Sequence, residues 1–260
     1  MIKLAIQIER NNMPNWVYNG LTIEGNPDSV NKLVAQVGKS FTMPIEVHNM
    51  GDVSSSGFPT KYKDVTYDKP IFAFWNIVNP YDQGISAEEY AQQPMRSDLD
   101  VNDPNWWSDV EAKRLVDKSW YSWNVTNWGC KWDVAVGNDE KYPDTYMEGP
   151  IPNGENLVVV YRFNTPWGIP DQALVKLSSQ YPTLLFTLSY EEETGWGGED
   201  EFLRGQYIQG ASWNWKCKEC DYMETGEPPY CEECEYDMCP SCGFGEPVET
   251  CEVHREKVEA

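Results

Sequence analysis

Seven cysteines and one histidine fall in four pairs of identical spacing: Cys217/Cys220, Cys231/Cys234, Cys239/Cys242 and Cys251/His254. Two residues separate the members of each pair, so both side chains can reach one tetrahedral ion from a tight turn. Sulfur and imidazole are the ligands zinc prefers, and eight of them make two closed sites with no open position for a substrate. The expectation is a structural module binding two zinc ions. The competing possibility is a disulfide framework, which belongs to secreted, oxidising settings. The opening residues, Met1 to Ile8, are followed by Glu9 and Arg10 and carry no small-residue cleavage signal, so a cytoplasmic location is expected. Seven cysteines cannot all pair with one another, and disulfides give His254 no role. Zinc is favoured.

The run Tyr230 to Cys242, with its C-x2-C-x4-C-x2-C spacing, resembles the core of ZZ-type zinc fingers. That resemblance implies a cross-brace, in which Cys217, Cys220, Cys239 and Cys242 hold one ion. Cys231, Cys234, Cys251 and His254 then hold the other. The departure is at the end, where the family has two histidines and this chain has Cys251 and His254. Two consecutive zinc ribbons are the alternative pairing.

Charge bounds the partners. The chain carries 42 acidic and 20 basic residues, a formal charge of −22. Between Cys217 and His254 lie eleven Asp or Glu and one Lys, a balance of −10. Seven thiolates and two zinc ions add −7 + 4 = −3. A surface of that sign repels phosphate, so direct nucleic-acid binding is disfavoured and a protein partner with a basic surface is expected. The opposing explanation is that the acids only keep a cysteine-rich segment soluble. Twelve Trp, fifteen Tyr and eight Phe supply the aromatic content that disordered chains lack, and no apolar run reaches membrane-spanning length.

Upstream of the cysteines the sequence reads as an α+β domain over residues 13–212, preceded by an extension over 1–12 and followed by the zinc module over 213–260. Asn15 to Gly25 is aromatic and β-branched, a strand. Asn26 and Pro27 then open a helix, with Val30, Leu33, Val34 and Val37 on one face and Gly38 as its stop. After a polar stretch containing Gly51 to Gly57, the apolar run Ile71 to Val78 reads as a second strand, completing one βαβ unit. A second unit follows the same logic: strand Asn156 to Phe163, a helix to about Gln180 carrying Ala173, Leu174, Leu177 and Tyr181, and a returning strand Thr183 to Tyr190. Two such units predict a ferredoxin-like split βαβ sandwich.

Between the units, at about 80–150, lies a helical, Trp-rich insertion. It holds a short helix capped by Ser86, a longer one from Asp103-Pro104 to about Lys118, and Trp120 to Trp132. The four tryptophans of that last segment are expected to pack mainly against the sheet, with a minority forming a binding patch. Phe202 to Trp213 reads as one further strand before the zinc module.

The segments Met13 to Gly25, Asn127 to Asp133, Phe163 to Trp167 and Leu188 to Gly195 resemble the YubB-like ferredoxin-like proteins of phages and plasmids. The patterns involved are P-N-W-x-x-N, W-G-T-K-W, F-x-T-x-W and Y-x-E. The resemblance spans residues 13 to about 210 and implies the ferredoxin-like fold and a mobile genetic element as the source, but no activity. Cys130 stands where the family usually has Thr, which argues against a nucleophile there and for a buried apolar role. Met13 is where the relatives begin, so Met1 or Met13 is the start.

Catalytic motifs are absent: there is no P-loop, no G-x-S-x-G and no H-E-x-x-H. His48 has no Ser or Cys neighbour in sequence, and Glu191 to Glu201, though acidic and glycine-rich, lacks the alternating ligands of a calcium loop and reads as a solvated loop. The expectation is a non-enzymatic binding or adaptor protein acting on a host or phage protein. The alternative is an enzyme whose carboxylates converge only in the fold.

Overall fold

The computed structural model describes residues 15–47, 61–91, 117–134, 145–216, 223–224, 230–231 and 236–237. The extension at 1–12, His48, the expected helix from Asp103, and most of the zinc module lie outside the described residues.

Strand β1 (Trp16–Gly25) alternates buried and exposed positions along its length. Helix α1 (Pro27–Val37) starts at Asn26, whose Oδ1 accepts the Ser29 amide at 2.9 Å, and stops at Gly38. Both match the sequence expectation. A hairpin follows, β2 (Phe41–Val47) with β3 (Lys61–Tyr67), in the stretch that reads only as polar. Helices α2 (Ala87–Tyr90), closed by a capping box from Ser86 and Glu89, and α3 (Trp120–Trp128) come next. The chain then runs through β4 (Tyr146–Asn153), β5 (Asn156–Pro166), α4 (Asp171–Gln180), β6 (Leu185–Glu192), β7 (Gly197–Leu203) and β8 (Gln206–Trp213).

Six of these strands form one sheet in the order β4-β5-β1-β6-β7-β8, every neighbouring pair antiparallel. Since β1 pairs antiparallel with both β5 and β6, the unit β5–α4–β6 is a split βαβ with β1 between its strands. By the same parity β4 runs parallel to β1 with β5 between them. The molecule therefore has a ferredoxin-like antiparallel sheet with a few helices, as the two units predict.

The returning strand of the first unit is a correction. Ile71 to Val78 is not a strand: it is irregular chain, buried at Phe72 to Trp75 and at Ile77, with a single 3-10 turn at Phe74–Asn76. The amides of Phe74 and Trp75 donate to the two oxygens of Asp133, at 2.9 and 2.8 Å, instead of to a neighbouring strand. A short buried apolar run cannot be told from a strand by pattern. The true returning strand is β4, which escapes notice because it is largely exposed, contains Gly149, Pro150 and Pro152, and is bulged between Glu148 and Ile151. The chain between α1 and its returning strand thus runs over 38–145.

Two further expectations need correcting. Glu191 to Glu201 is not a solvated loop but the β6–β7 hairpin, in which Glu192 is buried and its carboxylate accepts from the Thr194 amide and hydroxyl. Phe202 to Trp213 is not one strand: Arg204 and Gly205, both at positive φ, turn β7 into β8.

One face of the sheet is the core. Val17, Leu21 and Ile23 of β1, Val159, Tyr161 and Phe163 of β5, and Phe186 and Leu188 of β6 meet Val30, Leu33 and Val37 of α1 and Ala173, Leu174 and Leu177 of α4. The two helices touch through Gln36, which bonds Gln180 and Tyr181. An aromatic layer extends this core: Phe72 stacks on Phe163 at 5.4 Å, Phe74 meets Trp128 at 5.9 Å, and Trp128 meets Trp123 at 5.4 Å. Two of the four tryptophans of 120–132 are therefore core.

Candidate functional site: an acidic sheet face and an aromatic cage

The opposite face of the sheet is exposed or half-exposed, and its residues follow from strand parity. Across the strands, Tyr146, Arg162, Gly20, Ser189 and Glu199 share one row. The next holds Glu148, Val160, Thr22, Thr187, Glu201 and Gln209. Glu24 and Glu191 lie in the flanking rows, the latter opposite Tyr18. Among these positions five are glutamates, and Arg162 is the single base. Arg162 is itself engaged by Glu148 at 3.3 Å, both side chains well exposed. The centre of the face is built from small residues, and a Cβ on Gly20 would meet the Ser189 hydroxyl at 3.0 Å.

At the end of this face where β1 begins and β5 ends, the start of α3, the turn after it and the end of β5 bring four aromatic rings around one lysine. The Lys131 ammonium lies 4.2 Å from the ring centre of Trp167, 4.3 Å from Trp132, 5.9 Å from Trp120 and 6.0 Å from Tyr121. Trp16 stands 6.5 Å from Trp132. Distances near 4 Å to two indoles are those of cation–π contacts, which strengthen as the cation is removed from water.

The local sequence explains the assembly. Helix α3 ends at Gly129, whose φ of 92° is a left-handed cap, and a Cβ there would strike the Asp171 carboxylate at 2.2 Å and the Ile169 carbonyl at 2.5 Å. This close approach locks the turn 129–132 against the segment leaving β5. The next residue, Cys130, is buried, with its Sγ 3.5 Å from the Trp132 carbonyl; burial pushes its thiol well above its ordinary range. That is the inert apolar role expected for it. On the other side, Asn19 donates to the Thr165 hydroxyl at 2.9 Å, and Thr165 donates to the Gly168 carbonyl at 2.6 Å. The Trp167 amide donates to the Asn15 carbonyl at 3.0 Å. Trp167 is thereby held 51% exposed at a φ of 63°, a left-handed backbone that costs a bulky residue about 1–2 kcal/mol. Beneath the same strand ends, Asn19 and Glu192 are more than nine-tenths buried, and one oxygen of each has no donor among the described residues.

Trp16, Asn19, Gly129, Lys131, Trp132, Thr165, Trp167 and Glu192 are residues of the four quoted sequence patterns. Sequence reading alone did not connect them, because they lie in four segments spread along the chain. The signal was present in the repeated pairing of Trp with Lys, Asn or Thr.

Two carboxylates answer the expectation of converging acids. Asp171 and Asp200 are both raised from the ordinary carboxylate range, chiefly by burial, and the charge of Asp171 adds a little to the rise at Asp200. Each is hydrogen bonded in its own surroundings, Asp171 to Gln172 and Asp200 to the hydroxyls of Tyr190 and Tyr207. His48 lies outside the described residues.

The expected zinc ligands also lie outside them, apart from the backbone of Cys231. Strands β9 (Trp215–Lys216) and β10 (Met223–Glu224) pair, as do β11 (Tyr230–Cys231) and β12 (Tyr236–Asp237). Cys217 and Cys220 fall between the first two in sequence, and Cys234 between the second two. Among the described residues no group of three or more His, Cys, Asp or Glu is placed to hold a metal ion, and no helix is long and apolar enough to cross a membrane.

Residues 153–228 match the family described as the ferredoxin-like domain in Api92-like protein. Comparison with curated proteins gives no match. Among solved structures, the chain is similar to the crystal structure of a protein Api92 from Yersinia pseudotuberculosis, at 10% identity and a TM-score of 0.38, covering 79% of this chain and 100% of that one. The family match over residues 153–228 and the strand order agree on a ferredoxin-like sheet.

Proposed function

We propose that the protein is a non-enzymatic binding or adaptor protein that engages a basic surface on a protein partner through the open face of its sheet. The observation that carries this is the five glutamates against one arginine on that face. A flat acidic surface attracts a basic partner, speeds its encounter and repels phosphate. The small residues at its centre leave room for a partner's side chains. The resemblance to YubB-like proteins supports a mobile genetic element, most simply a phage, as the source, with a host or phage protein as the partner and the host cytoplasm as the place of action.

The segment over 213–260 completes the proposal as a structural module with two zinc ions held by Cys217, Cys220, Cys231, Cys234, Cys239, Cys242, Cys251 and His254. It is supported by the regular spacing, and by the short ladders that bracket the first two pairs, since paired strands bring the ends of a Cys-x2-Cys turn together. Its acids extend the negative surface.

Affinity purification of the tagged protein from its producing cells, followed by mass spectrometry, tests the proposal when run beside a variant in which Glu191, Glu199 and Glu201 are each changed to Gln. A basic partner captured by the wild type and lost from the variant is expected. Capture that is unchanged by the substitutions refutes a role for the face. Charge reversal of Glu232, Glu233, Glu235 and Asp237 isolates the contribution of the zinc module.

A further inference from the structure

We propose that the cage of Trp120, Tyr121, Trp132 and Trp167 is a binding site for an alkylammonium group, with Lys131 as its resident occupant. A lysine side chain of the basic partner is the source of that group, and this last step alone rests on the proposed function. The resident lysine demonstrates the chemistry the cage accepts: an ammonium within 4.3 Å of two indole centres, with two more rings at about 6 Å. Packing one lysine does not require four rings drawn from α3, the turn after it and the end of β5. Nor does it require Trp167 to remain half-exposed in a left-handed backbone, the kind of retained strain that clusters at ligand sites.

The surroundings favour a positive ligand. Trp16, which meets Trp132 at 6.5 Å, has its carbonyl bonded by the amide of Glu193, and Glu191 lies opposite Tyr18, so the cage adjoins the edge of the acidic face. An incoming lysine is drawn along that face and meets the cage at its end. Lys131 sits on a flexible four-carbon stem and can swing into water when displaced. While it occupies the cage it competes as an intramolecular ligand, lowering the apparent affinity by the fraction of time the cage is free. The site is thus self-occupied, and opening it requires a cation presented at high local concentration.

Tetramethylammonium is the probe, because it binds aromatic cages and needs nothing from the acidic face. Its affinity is measured by calorimetry, and its position by the indole N–H resonances in two-dimensional NMR, for the full chain, for Lys131→Met and for Lys131→Met combined with Trp167→Asn. Methionine keeps the length of the stem without its charge, and asparagine suits a left-handed backbone. Lys131→Met is expected to bind about tenfold more tightly than the wild type, a gain that Trp167→Asn abolishes. No gain in Lys131→Met overturns the proposal. So does a gain that survives Trp167→Asn, because a mere change of surface charge would behave that way. If Lys131→Met proves misfolded by circular dichroism, the wild type decides: indole shifts on adding probe that vanish in Trp167→Asn support the cage, and absent shifts refute it. Failure of this test leaves the acidic face untouched, since partner capture is read separately.

Discussion

Gly129 carries more of the architecture than any neighbouring side chain. Its left-handed φ ends α3, and its missing Cβ lets Asp171 and the Ile169 carbonyl approach from the segment after β5. Gly129→Ala adds a methyl where a carboxylate oxygen would stand at 2.2 Å, and where the backbone already disfavours an L side chain. Strain and overpacking together should destabilise the domain by about 3 kcal/mol. A thermal melt is expected to fall by roughly 10 °C; an unchanged midpoint would mean the turn is not locked as described. Other residues were legible only in part. Asn26, Pro27 and Gly38 announce their helix from sequence alone, because caps are local. Asp133 announces nothing: its carboxylate serves the amides of Phe74 and Trp75, far upstream, and that pairing exists only once the chain has folded.

At the level of elements, periodicity identified what is amphipathic and failed for what is not. Helix α1 and the unit β5–α4–β6 were found because apolar residues recur at the right intervals over a long enough span. Ile71 to Val78 misled because a largely buried segment reads as apolar whether or not a ladder exists. Strand β4 hid for the opposite reason, being an exposed edge with two prolines and a bulge. The acidic face was invisible as a site, since its glutamates come from β1, β4, β6 and β7 and only register aligns them. The proposed zinc module is the reverse case, resting on spacing alone. Its prediction is stoichiometric: native mass spectrometry of the purified chain should show two zinc ions, released by unfolding with a thiol-reactive reagent. A metal-free mass, or disulfides among these cysteines, would contradict it.

For the whole molecule, two collective properties matter. The first is the number of tyrosines packed into the domain. Burial raises Tyr67 from 10.0 to about 12, with Asp133 adding to the effect, and raises Tyr190 to about 12, with Asp200 adding. Tyr90 and Tyr161 are also raised, chiefly by burial. Each of these hydroxyls keeps its proton more firmly in the folded chain than in the unfolded one. Their contribution to stability is therefore whole below pH 10 and is lost as the pH climbs toward 12. Urea midpoints should hold steady below pH 10 and fall between 10 and 12, with tyrosinate absorbance rising as the domain unfolds. Ionisation of Tyr67, Tyr90, Tyr161 and Tyr190 near 10 in a still-folded protein would contradict this.

The second property is the charge of −22, to which one face of the sheet contributes five glutamates against one arginine. Any strongly acidic protein attracts a polycation, so affinity alone decides little; position decides. The most direct measurement is a backbone-resolved NMR titration of the labelled full chain with a lysine-rich peptide at physiological salt. The account predicts shifts centred on Tyr18, Thr22, Thr187, Ser189 and Glu199, weakening as salt is added. Shifts scattered over the acidic surface at large, or confined to the helical side of the sheet, would contradict it.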